Sequence, residues 1–317
     1  MKRSIAIVAG EPNSINSEII AKTWKKLRKE KKIFVIGNYL ILKKQLKKIK
    51  CKIKILQINK IEDFTDINSL NVLNIPLKFK SPFKVNILDT KKYVLQCLDT
   101  AHNLAFNRII HSFVNAPIDK KIFSNKYLGV TEYLANKNKS KEVMIIYNKK
   151  LSVVPLTTHL EIKNITIKIK RTLIEKKIFL LNKYYKKLFK KKPIIAVLGL
   201  NPHNSENRKN SVENKIIIPA IQGLKQLGVD VKGPFPADTV FNNQKKLKYN
   251  IVVGMYHDQV LAPFKALYGY DAINITLGLD YLRVSPDHGT AQDIIGKNKG
   301  NPQSLISSIN FLHNIND

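Results

Sequence analysis

PIIAVLGLNPH, residues 193–203, runs through eight residues with no charged or polar side chain and then breaks into a polar loop that carries His203. A strand with one face in water alternates apolar and polar residues. An unbroken run therefore implies a strand covered on both faces, as in parallel sheets packed between helices. The same form recurs in LSVVPLT (151–157) before His159 and in NIVVGMYH (250–257), which ends on His257. Further runs are SIAIVAG (4–10), KIFVIG (32–37), IKILQI (53–58), RIIHSFVNAP (108–117), VMIIYN (143–148) and AINITLGL (272–279). Between them lie helical patterns over 16–32, 91–107, 161–189, 212–227 and 304–313. Strand and helix alternate from end to end, so the class is α/β, with a parallel or mixed sheet and helices on both faces. No internal repeat and no Ser/Gly-rich linker interrupts the pattern, which a middle domain inserted between the two halves of another would explain.

The 317 residues suit two domains or one large α/β unit. A hydrophobic fraction of 44% with 25% charged residues excludes a disordered chain. Cys51 and Cys97 form no CxxC pair, which argues against a disulfide framework, a zinc knuckle and a dithiol redox site, and fits a reducing compartment. The apolar start is broken at Gly10, Glu11 and Pro12, too early for a signal peptide. No run approaches the roughly 20 apolar residues needed to span a bilayer. A soluble, cytoplasmic chain with no membrane partner is expected.

The 55 basic residues against 23 acidic ones leave a net charge of +32, which raises nucleic acid as a partner. Only six of the basic residues are arginine, the planar fork that base and phosphate readers use. The lysines are spread along helical stretches such as TWKKLRKEKK, KKQLKKIK and KYYKKLFKKK, beside abundant Ile and Asn, as drift toward AT-rich codons would produce. No specific nucleic acid is expected, although nonspecific adhesion to polyanions at low salt is.

Three of the seven histidines, His159, His203 and His257, stand just past apolar runs, beside Thr157 and Thr158, Asn201 and Asn204, and Asp258 and Gln259. Ligands of open α/β sheets collect at the carboxyl ends of strands, so these three can converge on one divalent ion such as Zn²⁺ or Co²⁺. Three imidazoles leave coordination open for a substrate oxygen. Each taken singly could equally cap a loop. His102 and His313 fall within helices and His111 within a strand, where structural roles are commoner. In SPDHGTAQDIIGKNKGNP (285–302) a turn of small and polar residues leads into a short helix, with Asp287 or Thr290 available as its cap, and such a turn can approach an adenosine closely. No GxGxxG, GxxxxGK[ST] or GxSxG occurs, which disfavours the usual dinucleotide fold, a P-loop and acyl-enzyme chemistry.

GLNPHNSE (199–206), GPFPADTVF (233–241), MYHDQ (255–259) with Lys265, and NITLGL (274–279) followed by YLRVSPDHGTAQDIIGK (281–297) resemble the 4-hydroxythreonine-4-phosphate dehydrogenase family of pyridoxal phosphate biosynthesis. VNAPIDK (114–120), TEYLA (131–135) and TTHL (157–160) match in the family's order, so the resemblance covers nearly the whole chain. It implies two α/β/α domains with an active-site cleft between them, isocitrate/isopropylmalate dehydrogenase-like: 1–128 plus 275–317 carrying the cofactor loop, and 129–274 carrying the metal ligands and the interface of a homodimer. It implies His159, His203 and His257 as ligands of one Zn, Co or Mg ion, and Thr131, Lys265, Asn274 and Arg283 as substrate-binding residues. NAD is the expected cofactor, held by Asp287, His288, Gly289, Thr290 and Asp293 without a Rossmann fingerprint. NADP is less expected, because no basic residue lies within the turn itself, although Lys297 and Lys299 follow it.

The activity so implied is oxidation of 4-phosphooxy-L-threonine to a β-keto acid that decarboxylates to 3-amino-2-oxopropyl phosphate. Lys120, Asp238 and Asp258 are candidates for the catalytic acid or base by motif position. The rivals are a sister metal-dependent dehydrogenase acting on another phosphorylated hydroxy acid or a diol carboxylate, and a non-catalytic polyanion-binding protein. Four departures from the family pattern bear on this choice: Val130 where His commonly precedes Thr-Glu, Ser14 and Ser205 where glycine is expected, and Asp119 for Asn.

Overall fold

The computed structural model describes residues 4–64, 68–158, 160–242, 249–269 and 271–316. The chain divides into two compact units, residues 1–140 with 279–317, and residues 141–278.

In the first unit the strands β1 (Ile5–Val8), β2 (Ile33–Gly37), β3 (Ile55–Ile58), β4 (Leu70–Asn74), β5 (Ser112–Asn115) and β12 (Leu282–Pro286) form a parallel sheet in the order β3-β4-β2-β1-β5-β12. Ala6 and Val8 join Phe34, Phe113 and helix residues Tyr93, Val94 and Leu98 in one core, while Ile5 and Ile7 on the other face are equally buried. That two-sided burial is what the unbroken apolar runs require. Helix Val130–Lys137 belongs to this unit because Tyr133, Leu134 and Ala135 enter the same core.

The second unit holds β6 (Val143–Tyr147), β7 (Ser152–Thr157), β8 (Ile195–Leu198), β9 (Val231–Phe235), β10 (Ile251–Tyr256) and β11 (Ile273–Leu277) in the order β11-β6-β7-β10-β8-β9. The run β7-β10-β8-β9 is parallel, whereas β6 is antiparallel to both its neighbours. The sheet is therefore mixed here and parallel in the first unit. Among the described residues no helix is long and apolar enough to cross a membrane.

All nine apolar runs contain strands, but β4, β9 and β12 lie outside them. Their sequences, LNVLN, VKGPF and LRVSP, interrupt the apolar pattern with Asn, Gly-Pro or Arg, and β9 tolerates Gly and Pro because it is an edge strand. The helix expected over 161–189 is broken: short turns over Ile162–Asn164 and Ile165–Lys168 are followed by extended Ile169 and Lys170 before helix Arg171–Phe189 begins. The β-branched stretch ITIKIK resists continuous helix, and Ile169 is buried in the extended conformation. His111 precedes β5 instead of lying within it. His102 is a core residue whose Nδ1 lies 2.8 Å from the Tyr281 hydroxyl.

A buried carboxylate ties the first helix of the first unit, Asn16–Leu27, to the segment after β12. Glu18 accepts from Lys22 Nζ at 2.7 Å and from the backbone N–H of Gly300, and Lys22 also reaches the carbonyls of Asn298 at 3.1 Å and Gly300 at 3.0 Å. Replacing Glu18 by Ala should lower stability by about 2–3 kcal/mol, the size of a lost charge-assisted hydrogen-bond pair. A fall in the urea midpoint with an unchanged slope is the expected result.

Candidate active site

In the second unit, β7, β10 and β8 are parallel neighbours whose carboxyl ends lie side by side, with Thr157 opposite Tyr256 in the register. Two side chains stitch these ends together. The Thr157 hydroxyl donates to the Met255 carbonyl at 2.7 Å. Gln259 accepts from the Met255 N–H through Oε1 and donates from Nε2 to the Gly199 carbonyl, both at 2.7 Å. Two of the three strand-end histidines follow directly: His257 opens helix His257–Tyr268, and His203 sits in the loop after β8. His159 lies outside the described residues.

His257 Nδ1 is 2.6 Å from Asp258 Oδ1, a contact that orients the ring. His203 is exposed, on a turn in which His203, Asn204, Ser205 and Glu206 all have φ between 48° and 55°. Imidazoles at adjoining strand ends are a donor set that suits Zn²⁺ or Co²⁺, so these two residues fit a divalent ion. Among the described residues no group of three His, Cys, Asp or Glu side chains comes together as a metal site.

The other site residues expected in this unit are spread out. Lys265 is exposed on the helix that His257 opens, Asp238 is exposed on the short helix Ala237–Val240, and Asp258 is 82% exposed. Asn274 is half-buried on β11, and its Oδ1 is a buried atom with no hydrogen-bond partner among the described residues, an acceptor that a ligand donor could satisfy.

The first unit builds a cation site. Arg283 on β12 is 2% exposed, its Nε donates to Asn115 Oδ1 at 2.6 Å and its Nη1 to Thr131 Oγ1 at 3.2 Å. Burial pulls its pKa down to about 10, against the opposing pull of Tyr281 and Glu132, so it stays charged at neutral pH. Both of these acceptors are uncharged oxygens. Thr131 and Arg283 are thus brought together, and Asn115 was not legible as their companion although VNAPIDK contains it. Lys120, an exposed residue, opens the turn Lys120–Lys126, and partial desolvation of its amine lowers its pKa against the fields of Glu132 and Asp119. A lysine so depressed has a larger neutral fraction with which to take a proton.

Three of the four departures have local explanations. Asp119 caps its turn by accepting from the Lys121 N–H at 2.9 Å. The Ser14 hydroxyl closes the first turn, donating to the Glu11 carbonyl and accepting from the Asn16 N–H. Val130 packs against the core of the first unit.

The turn after β12 differs from its expected form. Its helix is a single 3₁₀ turn, Gln292–Ile294, and it starts from left-handed Ala291 with no side-chain cap, so neither Asp287 nor Thr290 caps it. The turn is anchored instead by its backbone: the Ile15 N–H donates to the Thr290 carbonyl at 3.3 Å, and Ser304 Oγ accepts from the Asp287 N–H at 3.1 Å. Gly289 is exposed with open space on its side-chain side, so backbone there can meet a ligand directly, whereas His288 turns Nδ1 toward the Gly289 carbonyl. Asp293 is exposed.

A model of the pyridoxal phosphate biosynthetic protein PdxA matches residues 29–312. The chain belongs to the PdxA family. A 4-hydroxythreonine-4-phosphate dehydrogenase of Sulfurihydrogenibium sp. is 37% identical over 96% of both chains. A D-threonate 4-phosphate dehydrogenase of Pectobacterium atrosepticum is 33% identical over 98% of both. The crystal structure of 4-hydroxythreonine-4-phosphate dehydrogenase from Klebsiella pneumoniae superposes over 100% of each chain with a TM-score of 0.87 at 30% identity. PdxA membership makes the chain a dehydrogenase of pyridoxal phosphate biosynthesis and disfavours a non-catalytic polyanion binder.

Within this PdxA chain, Glu11 is a titratable group that sequence reading did not single out. It is 5% exposed in the turn after β1, and burial, reinforced by Asp119 and offset by the Asn13 N–H, raises its pKa to about 7. The folded state therefore holds a proton that the unfolded chain releases near pH 4.5. This contribution to stability is present in full below that pH, falls as pH rises and is gone above about 7. Glu11→Gln should abolish that slope and stabilise the protein at pH 8 by on the order of 3 kcal/mol. Thermal melts of both proteins from pH 4 to 8 measure the difference.

Proposed function

We propose that this chain is the NAD-dependent, divalent-metal-requiring enzyme that oxidises 4-phosphooxy-L-threonine to a β-keto acid, which decarboxylates to 3-amino-2-oxopropyl phosphate. The observation that carries the reading is the buried, charged Arg283 guanidinium, oriented by Asn115 and Thr131, as a group that would meet a substrate anion. A homodimer in a reducing, cytoplasmic compartment is the assembly we expect, on the resemblance and on the two unpaired cysteines.

His203 and His257, with His159 by sequence position, would hold the divalent ion, which supplies Lewis acidity to the substrate hydroxyl and to the carbonyl that replaces it. Asp287–Gly296 would hold the adenosine end of NAD, whose nicotinamide supplies the hydride acceptor. Arg283 and Thr131 orient the anionic substrate, with Lys265 and Asn274 as its further partners. Lys120 takes the hydroxyl proton on Nζ, since partial desolvation of its amine favours the neutral form; Asp238 and Asp258, exposed like Lys120, are the alternative bases. Loss of CO₂ then follows from the chemistry of the β-keto acid, whose carbonyl accepts the electron pair left by the departing carboxylate.

Purified enzyme should form NADH with 4-phosphooxy-L-threonine and lose activity to a chelator, with Zn²⁺, Co²⁺ or Mg²⁺ restoring it. Faster turnover of D-threonate 4-phosphate would transfer the assignment to that substrate, and equal rates with NADP would remove the cofactor preference. Arg283→Lys should lower kcat/KM by roughly tenfold to a hundredfold, because an ammonium cannot reproduce the fork's parallel hydrogen bonds. An unchanged steady-state kcat/KM for that variant would remove Arg283 from the substrate site.

A further inference from the structure

The turn that presents His203 is unusual in its backbone. His203, Asn204, Ser205 and Glu206 have φ of 48°, 55°, 52° and 50°, four successive non-glycine residues in the left-handed region. Side chains other than glycine visit that region singly and at a cost, so such a run persists only where its surroundings over-determine it.

What over-determines it here is one carboxylate. Glu213, fully buried, opens the π-helical segment Glu213–Ile217 and faces back into the turn. Its Oε1 accepts from the backbone N–H of Leu200 at 2.9 Å and of Asn201 at 2.8 Å, the Asn201 Nδ2 lies 3.2 Å from both oxygens, and Oε2 accepts from the Ser205 hydroxyl at 3.0 Å. Burial alone would raise its pKa, but the hydrogen bonds from Asn201 and Ser205 outweigh it and hold the group ionised. Asn204 adds a second tether, donating from Nδ2 to the Pro234 carbonyl at 2.9 Å.

The bonds to Glu213 fall on both sides of His203, at 200 and 201 before it and at 205 after it. We propose that Glu213 is the positioning residue that fixes the His203 imidazole for its metal, and that Ser205, standing where the family has glycine, compensates its own left-handed strain by donating its hydroxyl to that carboxylate. This rests on the reading of His203 as a metal ligand. The serine is then an adaptation of this chain that preserves the turn and not a loss of the site.

The test is calorimetric titration of the full-length protein, freed of metal, with Co²⁺ alone. Glu213→Ala, which removes every acceptor, should weaken Co²⁺ binding at least tenfold. Glu213→Gln, which keeps an oxygen facing the Leu200 and Asn201 amides, should restore most of it. Ser205→Ala keeps the strain and loses the hydrogen bond, so it should bind Co²⁺ several-fold more weakly than wild type, with Ser205→Gly between them. If Glu213→Ala fails to fold, this order among the Ser205 variants decides, and equal affinities overturn the proposal, as does wild-type affinity in Glu213→Ala. If the wild type takes up no Co²⁺, the ligand reading fails, and amide hydrogen exchange at Leu200 and Asn201 then decides the positioning role. Faster exchange in the Glu213 or Ser205 variants upholds that role, and unchanged exchange overturns it.

Discussion

Gln259 holds the carboxyl ends of two neighbouring strands at a fixed spacing, with one amide that accepts from the Met255 N–H and donates to the Gly199 carbonyl. An amide presents a donor and an acceptor from one plane, so it can close two strand ends that have run out of ladder partners. Two of the strand-end histidines of the second unit follow from those ends. His257 begins two residues before Gln259 on the same helix, and the loop after Gly199 leads to His203. The backbone from which both imidazoles depart is thus tied by the Gln259 amide.

The first unit solves a different problem, keeping a guanidinium charged and aimed inside a core. Asn115 and Thr131 supply oxygens without charge, which orient the guanidinium. Lys120 and Glu11 lie in the same unit, and desolvation pushes both toward their neutral forms, Glu11 to a pKa of about 7. Against this the net charge of +32 is uninformative about the chemistry, since it is carried mostly by lysines spread over helices.

Substitutions that looked like erosion of the family pattern turn out to be locally consistent. Asp119 caps its turn as an asparagine would, and Ser14 closes a turn through its hydroxyl. Ser205 keeps the left-handed conformation that glycine would adopt freely, because a buried acceptor receives its hydroxyl. Val130 has no polar role of this kind; it is a core contact of its unit.

The sequence by itself determined the α/β class and the position of nine strands, because burial on both faces writes an unbroken apolar run into the chain whatever lies beside it. It also marked Arg283 and the strand-end histidines, since rare residue types at the ends of such runs stand out without any knowledge of their partners. It did not reveal β4, β9 and β12, whose stability comes from neighbours and not from their own composition, or the break at Ile169 that tertiary burial imposes. Only the tertiary structure decided that Asn115 holds Arg283, that Glu213 holds the His203 turn and that Ala291, not Asp287 or Thr290, starts the 3₁₀ turn. Each of these depends on a hydrogen bond or a backbone angle. A one-dimensional pattern records burial, which is periodic, but not the direction in which a polar atom points.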